Sequence, residues 1–304
     1  MNSEILSYLK DILSEQNAFA DEEMSRHTTF RTGGPASLFL CPGNKEELIK
    51  VLELLKRLQL PFFVIGNGSN LLVSDEGYEG AVISLSRFND ISLEGEDTLV
   101  VGAGALNSAI AAFARDNSLA GFEFAAGIPG TIGGAMIMNA GAYGGEMCQI
   151  TERVEVISPD GEIMELDNST MEFGYRTSAI KGRGYIVLSV RLKLTKGDKE
   201  AISALMTELA QKRKDKQPLE YPSAGSTFKR PEGYFAGKLI EDAGLRGFSV
   251  GGAQVSEKHC GFVINKGGAT SSDVYELIKK VEAKVFENSG VTLEPEVIMI
   301  GRFS

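Results

Sequence analysis

Apolar residues recur at three- and four-residue spacing in three stretches of the chain, with short apolar runs and alternations between them. That mixture predicts an α+β fold with at least two lobes. The first helical stretch, 2–16, puts Ile5, Leu6, Leu9 and Leu13 on one face, with Ser3 as its cap. Asn44 caps the second, where Leu48, Val51, Leu52 and Leu55 share a face. Further helices are expected at 106–117, 199–216, 235–243 and 271–288. The last starts at Ser271 and aligns Val274, Leu277, Ile278, Val281 and Val285. Strands are expected at 36–40, 61–65 (buried), 81–85, 98–102, near 251–255 and 261–265, and in the tail at 293–301, with the apolar pattern resuming at 71–73. Segments 154–158 and 162–166 flank Pro159-Asp160-Gly161 as a hairpin, and 185–194 alternates best. Residues 121–145 show no regular pattern, and a change of composition near Gly197 marks a domain boundary.

Composition narrows this modestly. With 304 residues, 43% hydrophobic and 24% charged, the chain is an ordinary globular protein of one large or about two domains, not a disordered one. The 31 basic and 41 acidic residues leave a net charge of −10, which argues against nucleic acid and anionic membrane as partners. A local basic pocket for a small anion remains compatible with it. Cys41, Cys148 and Cys260 are odd in number and widely spaced, as in a reduced, cytoplasmic protein. With only His27 and His259, no metal site is expected. The N-terminal residues do not read as a signal peptide, and no run approaches the roughly 20 apolar residues of a membrane span.

Glycine changes the picture more. There are 35, well above the usual share of roughly 7%, without a collagen-like period. None precedes Gly33, and eight lie between Gly121 and Gly145. Such an excess points to a large ligand lying close to backbone, or to many tight turns. Gly66-Asn67-Gly68-Ser69-Asn70 follows the 61–65 strand, and successive N–H groups there can cradle a pyrophosphate. It is neither a dinucleotide fingerprint nor a P-loop, and alone it reads first as a tight turn. Gly127-Ile128-Pro129-Gly130-Thr131-Ile132-Gly133-Gly134-Ala135, with 138–145 after it, is harder to explain as a loop. Ordering so many small residues costs chain entropy and returns little packing. An extended cofactor on the backbone is the better account, and a buried packing crossover the alternative.

Three further motifs carry chemistry only in context. Arg176, within Phe173-Gly174-Tyr175-Arg176-Thr177-Ser178, suits a carboxylate or phosphate, although by itself it reads as a surface arginine. Ser226 lies among small residues without a Gly-x-Ser-x-Gly elbow or a triad histidine, so a proton donor is favoured over a nucleophile, and a plain loop serine remains open. In Leu293-Glu294-Pro295-Glu296-Val297, proline biases Glu294 to extended backbone and Glu296 enters the strand; surface exposure is the default for both.

In order along the chain, Thr29-Phe30-Arg31-Thr32-Gly33-Gly34, Gly66–Asn70, Gly127-Ile128-Pro129-Gly130, Asn139-Ala140-Gly141-Ala142-Tyr143-Gly144, Tyr175-Arg176, Ala224-Gly225-Ser226-Thr227-Phe228 and Glu294-Pro295-Glu296-Val297 resemble the UDP-N-acetylenolpyruvoylglucosamine reductase (UDP-N-acetylmuramate dehydrogenase) family. Each motif is weak alone; the ordered set is specific and spans nearly the whole chain. The resemblance implies a two-lobed FAD-binding fold of the vanillyl-alcohol-oxidase (PCMH) type plus a third α+β substrate-binding domain. The implied limits are 1–62 for the first lobe, with 291–304 returning to it, 63–197 for the second, and 198–290 for the substrate domain. The implied activity is NADPH-dependent, FAD-mediated reduction of UDP-N-acetyl-enolpyruvoylglucosamine to UDP-N-acetylmuramate for peptidoglycan.

Carried over by motif, Arg176 and Glu296 flank the substrate carboxylate and Ser226 is the proton donor. FAD would be held by Gly66, Asn67, Gly68, Ser69, Asn70, Gly130, Thr131, Gly133, Gly134, Asn139, Ala140, Gly141 and Ala142. Lys216 would bind substrate phosphate, with Arg230, Lys238 and His259 as sugar or diphosphate contacts. Some members carry a tyrosine loop in a substrate-domain insertion. Only 40 positions separate Tyr185 from Gly225, much of them helical, so the chain resembles the shorter subtype, which puts diphosphate contacts from longer members in doubt. A monomer is expected. The competing readings are another flavoprotein of this fold and a flavin-free nucleotide-sugar binder.

Overall fold

The computed structural model describes residues 3–303. The side chain of Ser3, expected as a cap, lies outside that description, as do Met1, Asn2 and Ser304. The first lobe comprises α1 (Ser3–Leu13), β1 (Ala18–Glu23), β2 (Pro35–Leu40), α2 (Lys45–Arg57), β3 (Phe62–Ile65), β4 (Leu71–Val73) and β5 (Tyr78–Ser84). Its sheet runs β1-β2-β5-β3, with β1 antiparallel to β2 and the other pairs parallel. Asn44 caps α2 by accepting from the Glu47 N–H, and Leu48, Val51, Leu54 and Leu55 are its buried face. Leu52, expected on that face, is only half-buried at its edge. β1 was not foreseen, since only Ala18 of its residues is buried and backbone pairing to β2 holds it. β3 is not the buried strand expected: it is a sheet edge, and Phe62 is 40% exposed.

The second lobe contains β6 (Ile91–Glu94), β7 (Thr98–Gly102), α3 (Asn107–Asp116), β8 (Leu119–Ala120), α4 (Ile132–Met138), β9 (Gly141–Ala142), β10 (Gly145–Glu146), β11 (Thr151–Ile157), β12 (Ile163–Asp167), β13 (Ile186–Lys193) and β14 (Thr195–Lys196). Five of these strands form an antiparallel sheet, β12-β11-β13-β7-β6, with the expected hairpin at one edge. Apolar residues of both lobes share one core. α4 corrects the expectation of an irregular 121–145. Gly133 and Gly134 give its first turn a poor helix propensity. Packing overrides that, because Ile132, Gly133, Ala135 and Met136 are buried and Gly133 N–H bonds the Ala103 carbonyl at 2.9 Å.

α5 (Lys199–Lys216) begins at its Asp198 cap. It packs on α3 and β8 of the second lobe, so packing divides the chain after α5 rather than at 198. Likewise the first sheet extends to Ser84, beyond the limit at 62. The third unit holds α6 (Ala236–Asp242), β15 (Ser249–Val250), β16 (Ala253–Val255), β17 (Val263–Asn265) and α7 (Ser271–Ser289), the strands forming a small antiparallel sheet. Its core joins the foreseen α7 stripe to Ala224, Phe228, Leu239 and Ile240, and also to Phe30 and Leu72 of the first lobe. α7 starts at Ser271 as expected, and its cap is Thr270, which forms a reciprocal capping box with Asp273. Finally β18 (Ile298–Ile300) returns to lie parallel to β4. Among the described residues no helix is long and apolar enough to cross a membrane.

Candidate active site

The edge position of β3 leaves one side of the strand facing a cleft, and the loop after it, Gly66–Asn70, forms part of the cleft wall. The 128–135 segment and Ala140, Gly141 and Ala142 line the cleft from the second lobe, and Ala224, Gly225, Ser226 and Glu296 from the third unit. Of the residues expected at a cofactor, Gly66, Asn67, Gly68, Ser69, Asn70, Gly130, Thr131, Gly133, Gly134, Ala140, Gly141 and Ala142 all line it, together with Arg176.

Two loops meet so closely here that side chains are excluded. A Cβ on Gly66 would strike Thr131 Oγ1, and one on Gly130, whose φ is +127°, would lie 2.8 Å from Ser69 Oγ. Ser69 Oγ donates to the Pro129 carbonyl at 3.0 Å. The result is a wall of bare backbone suited to a diphosphate. Phe63, Val64, Ile65, Leu85, Ile186 and Val187 add an apolar side suited to a flat ring system. Asn107 Oδ1 and Gln217 Oε1 are buried at the cleft with no hydrogen-bond partner among the described residues. Two orphaned acceptors call for ligand N–H or O–H groups. Arg213 also lines the cleft without an ion pair among the described residues, and burial holds its pKa below the usual arginine range. Diphosphate, hydroxyls and an aromatic ring system are what FAD offers, so these residues fit it.

Asn139 does not line the cleft. It is buried as the left-handed cap of α4, with φ +41°. Its Nδ2 donates to Glu146 at 3.0 Å and to the Gly174 carbonyl at 3.2 Å, while Oδ1 accepts from the Cys148 N–H at 3.0 Å. It braces the wall rather than facing a ligand. Lys216, Arg230, Lys238 and His259 are not brought to the cleft either. Lys216 is exposed at the end of α5. The Arg230 guanidinium lies 4.1 Å from the Phe235 ring centroid. Lys238 bonds Asp242 one turn on, at 2.6 Å. His259 Nδ1 accepts from the Gly261 N–H at 3.1 Å, and burial lowers its pKa.

The third-unit wall meets the second lobe at a polar cluster. Thr227 is fully buried, and its carbonyl accepts from the Glu296 N–H at 2.8 Å. This sets the Ser226 and Glu296 segments side by side, with the Ser226 side exposed to the cleft. Asn70 Nδ2 donates to the Glu296 carbonyl at 3.0 Å, tying that segment to the glycine loop. Arg176 Nε donates to Glu296 Oε1 at 2.9 Å, where the carboxylate side chain is 13% exposed. Burial pushes the Glu296 carboxyl above its ordinary range, opposed by the charges of Arg176, Lys181 and Lys229. The cluster therefore pairs a fixed cation with a carboxyl whose pKa burial raises, beside the Ser226 hydroxyl.

Sequence reading missed Asn107, Arg213 and Gln217 at the cleft. Lys212-Arg213-Lys214 was visible as a basic helix end, but nothing in it distinguishes the inward-facing member. Asn107 falls inside the helix expected at 106–117 and carries no signal of its own.

Two lobes around a glycine-walled cleft, with an arginine–glutamate pair and a serine from a third unit, define a flavin-dependent oxidoreductase; consistently, residues 36–167 match the FAD binding domain family. Residues 217–300 match the family described as UDP-N-acetylenolpyruvoylglucosamine reductase, C-terminal domain. The chain belongs to the UDP-N-acetylenolpyruvoylglucosamine reductase family. Relatives of that name from Caldanaerobacter subterraneus subsp. tengcongensis and Agathobacter rectalis are each 50% identical, over 98% of both chains and 100% of both chains respectively. The crystal structure of the reductase from Thermus caldophilus superposes with a TM-score of 0.81 at 39% identity, covering 92% of this chain and 98% of that one. Wild-type Phl p 4.0202, a glucose dehydrogenase, shares the fold alone, with a TM-score of 0.50 at 14% identity over 65% of this chain and 45% of that one.

Proposed function

We propose that this chain reduces UDP-N-acetylenolpyruvoylglucosamine to UDP-N-acetylmuramate for peptidoglycan synthesis, with NADPH as electron donor. The observation that carries the reading is the convergence of Arg176, Glu296 and Ser226 on the cleft walled by the two glycine loops. When bound there, FAD supplies the hydride-transfer chemistry that links NADPH to the substrate. The backbone at Gly66–Asn70 and 130–134 holds its diphosphate, and Arg213 supplies an unpaired positive charge to the same cleft. The positions of Lys216, Arg230, Lys238 and His259 favour Arg213 over them as the first phosphate contact.

Hydride added to the terminal carbon of the enolpyruvyl group leaves negative charge on the adjacent carbon and its carboxylate. Arg176 binds that carboxylate and stabilises the charge as it grows. Glu296 orients the guanidinium through Nε and, once protonated, donates a hydrogen bond without repelling the substrate. Ser226 gives its hydroxyl proton to the adjacent carbon, completing addition of one hydride and one proton across the double bond. The three free cysteines suit a cytoplasmic setting.

Anaerobic mixing with NADPH and then with substrate tests the reading. The yellow flavin absorbance should bleach, then recover only when substrate is added. Failure to take up FAD refutes the proposal, and bleaching without recovery assigns a different electron acceptor.

A further inference from the structure

We infer, on the basis of the proposed function, that Lys181 is a positioning residue for the reaction: it holds the Arg176 carbonyl and thereby fixes the guanidinium against Glu296. Arg176 stands at φ +54°, in the left-handed region that favours glycine. It is the second residue of a tight two-residue turn, in which Gly174 N–H bonds the Thr177 carbonyl at 3.1 Å and Thr177 N–H the Gly174 carbonyl at 3.3 Å. The second bond engages the N–H end of the Arg176–Thr177 peptide and leaves its carbonyl end without a partner inside the turn. Lys181 Nζ takes up that end, donating to the Arg176 carbonyl at 2.8 Å.

The lysine is itself anchored. Ser178, three residues before it, is buried and donates to the Ile137 carbonyl at 3.0 Å, and Ile180 is buried in the core. Lys181 is half-buried, and both burial and the neighbouring Lys229 work against its charge, while Glu296 favours it. Lys229 is occupied by Glu294 at 2.8 Å. Arg176, Lys181 and Lys229 are thus the charged groups around Glu296; Arg176 also donates from Nη2 to the Gly141 carbonyl at 3.5 Å, and Lys181 gives its hydrogen bond to the Arg176 carbonyl rather than to a carboxylate. Lysine in that place secures a strained turn and adds a positive charge near the carboxyl.

The test compares Lys181→Met, which loses donor and charge, with Lys181→Arg, which keeps both. In the FAD-loaded enzyme, Lys181→Met should leave FAD content and NADPH bleaching within about twofold of the parent. Its substrate-dependent recovery should fall at least tenfold at saturating substrate, with a smaller rise in KM, and Lys181→Arg should regain most of the rate. A readout independent of turnover is hydrogen exchange at the Arg176 Nε–H by NMR, expected to quicken at least tenfold in Lys181→Met. Unchanged exchange overturns the inference. So does equal slowing of both half-reactions with loss of FAD, which would mark a folding role. If the parent itself shows no substrate-dependent recovery, the proposed function fails, and the exchange measurement still decides the role of Lys181.

Discussion

Arg176 joins a useful charge to an unfavourable backbone, and the two can be separated. At φ +54° an L-residue costs about 1–2 kcal/mol relative to its ordinary conformations. Glycine escapes that cost but loses about 0.5–1 kcal/mol of extra chain entropy on folding. Arg176→Gly should therefore be about 1 kcal/mol more stable than Arg176→Ala. Both variants leave Glu296 without its 2.9 Å partner, so that loss cancels in the comparison. For a chain of this length, about 1 kcal/mol corresponds to a Tm difference of about 2 °C. The assay is thermal or urea unfolding of the two variants at equal, saturating FAD, since bound cofactor shifts Tm by mass action. Turnover should fall about 10²–10³-fold in both, as expected when one group stabilising developing charge is removed. If Arg176→Gly is no more stable than Arg176→Ala, the left-handed geometry stores no strain and the argument fails.

Ser226→Ala should leave reduction by NADPH intact while slowing recovery with substrate by about 10²–10⁴-fold; equal slowing of both half-reactions would remove serine from proton transfer. Glu296 has a folded pKa raised above its unfolded value of roughly 4.3. Its contribution is therefore full below that value and is lost as pH rises through the folded pKa. Urea unfolding across pH 4–8 should show Glu296→Gln gaining on the parent as pH rises, and a constant difference would contradict the raised pKa. Asn107→Leu removes an orphaned buried acceptor together with the 3.4 Å Nδ2 bond to the Ile128 carbonyl, so the stability of the FAD-free protein should move by no more than about 1 kcal/mol while FAD affinity drops; unchanged affinity in a fluorescence titration would free Asn107 from any cofactor role.

The elements readable from the sequence were those whose local pattern and tertiary role agree. The 199–216 helix occurs where a stretch free of glycine and proline places it, and the 98–102 strand where its short apolar run does. Gly66–Asn70, Arg176, Ser226 and Glu296 were readable because their residue types carry chemistry and their order is specific. α4 was hidden because its stability comes from burial against Ala103, which no local propensity reports. The start of α7 at Ser271 was readable, and Asp273, three residues after Thr270, is the signal for its cap. Asn139 was read as a ligand contact because its motif abuts the cleft, but an asparagine in the left-handed region after a helix also serves as a cap and brace. Lys181, Arg213 and Gln217 depend on which way a side chain turns once three units are assembled.

One recognised motif has no chemistry of its own, and the structure accounts for it. Thr29-Phe30-Arg31-Thr32-Gly33-Gly34 lies between the glycine loop and the third unit. On one side, Thr29 N–H bonds the Gly68 carbonyl at 3.2 Å, and Gly33 at φ +116° passes so near β4 that a Cβ would lie 2.8 Å from the Val73 side chain. On the other, Phe30 is fully buried in the third unit's core, its carbonyl accepts from Asn265 Nδ2 at 3.1 Å, and the Ser271 hydroxyl bonds Thr32 Oγ1 at 2.9 Å. Burying an aromatic ring across such a junction stabilises it by about 1.5–3 kcal/mol, against about 0.5–1.5 kcal/mol for a single neutral hydrogen bond there. The same junction is closed from the far end of the chain, where Asn70 bonds the Glu296 and Ile298 backbone at 3.0 Å and β18 pairs with β4. Ser226 and Glu296 are thus located, relative to the backbone that receives the cofactor, by residues some 200 positions upstream. Their reach over the cleft depends on this docking as much as on their own loops, so the motif serves the site by fixing where the third unit sits.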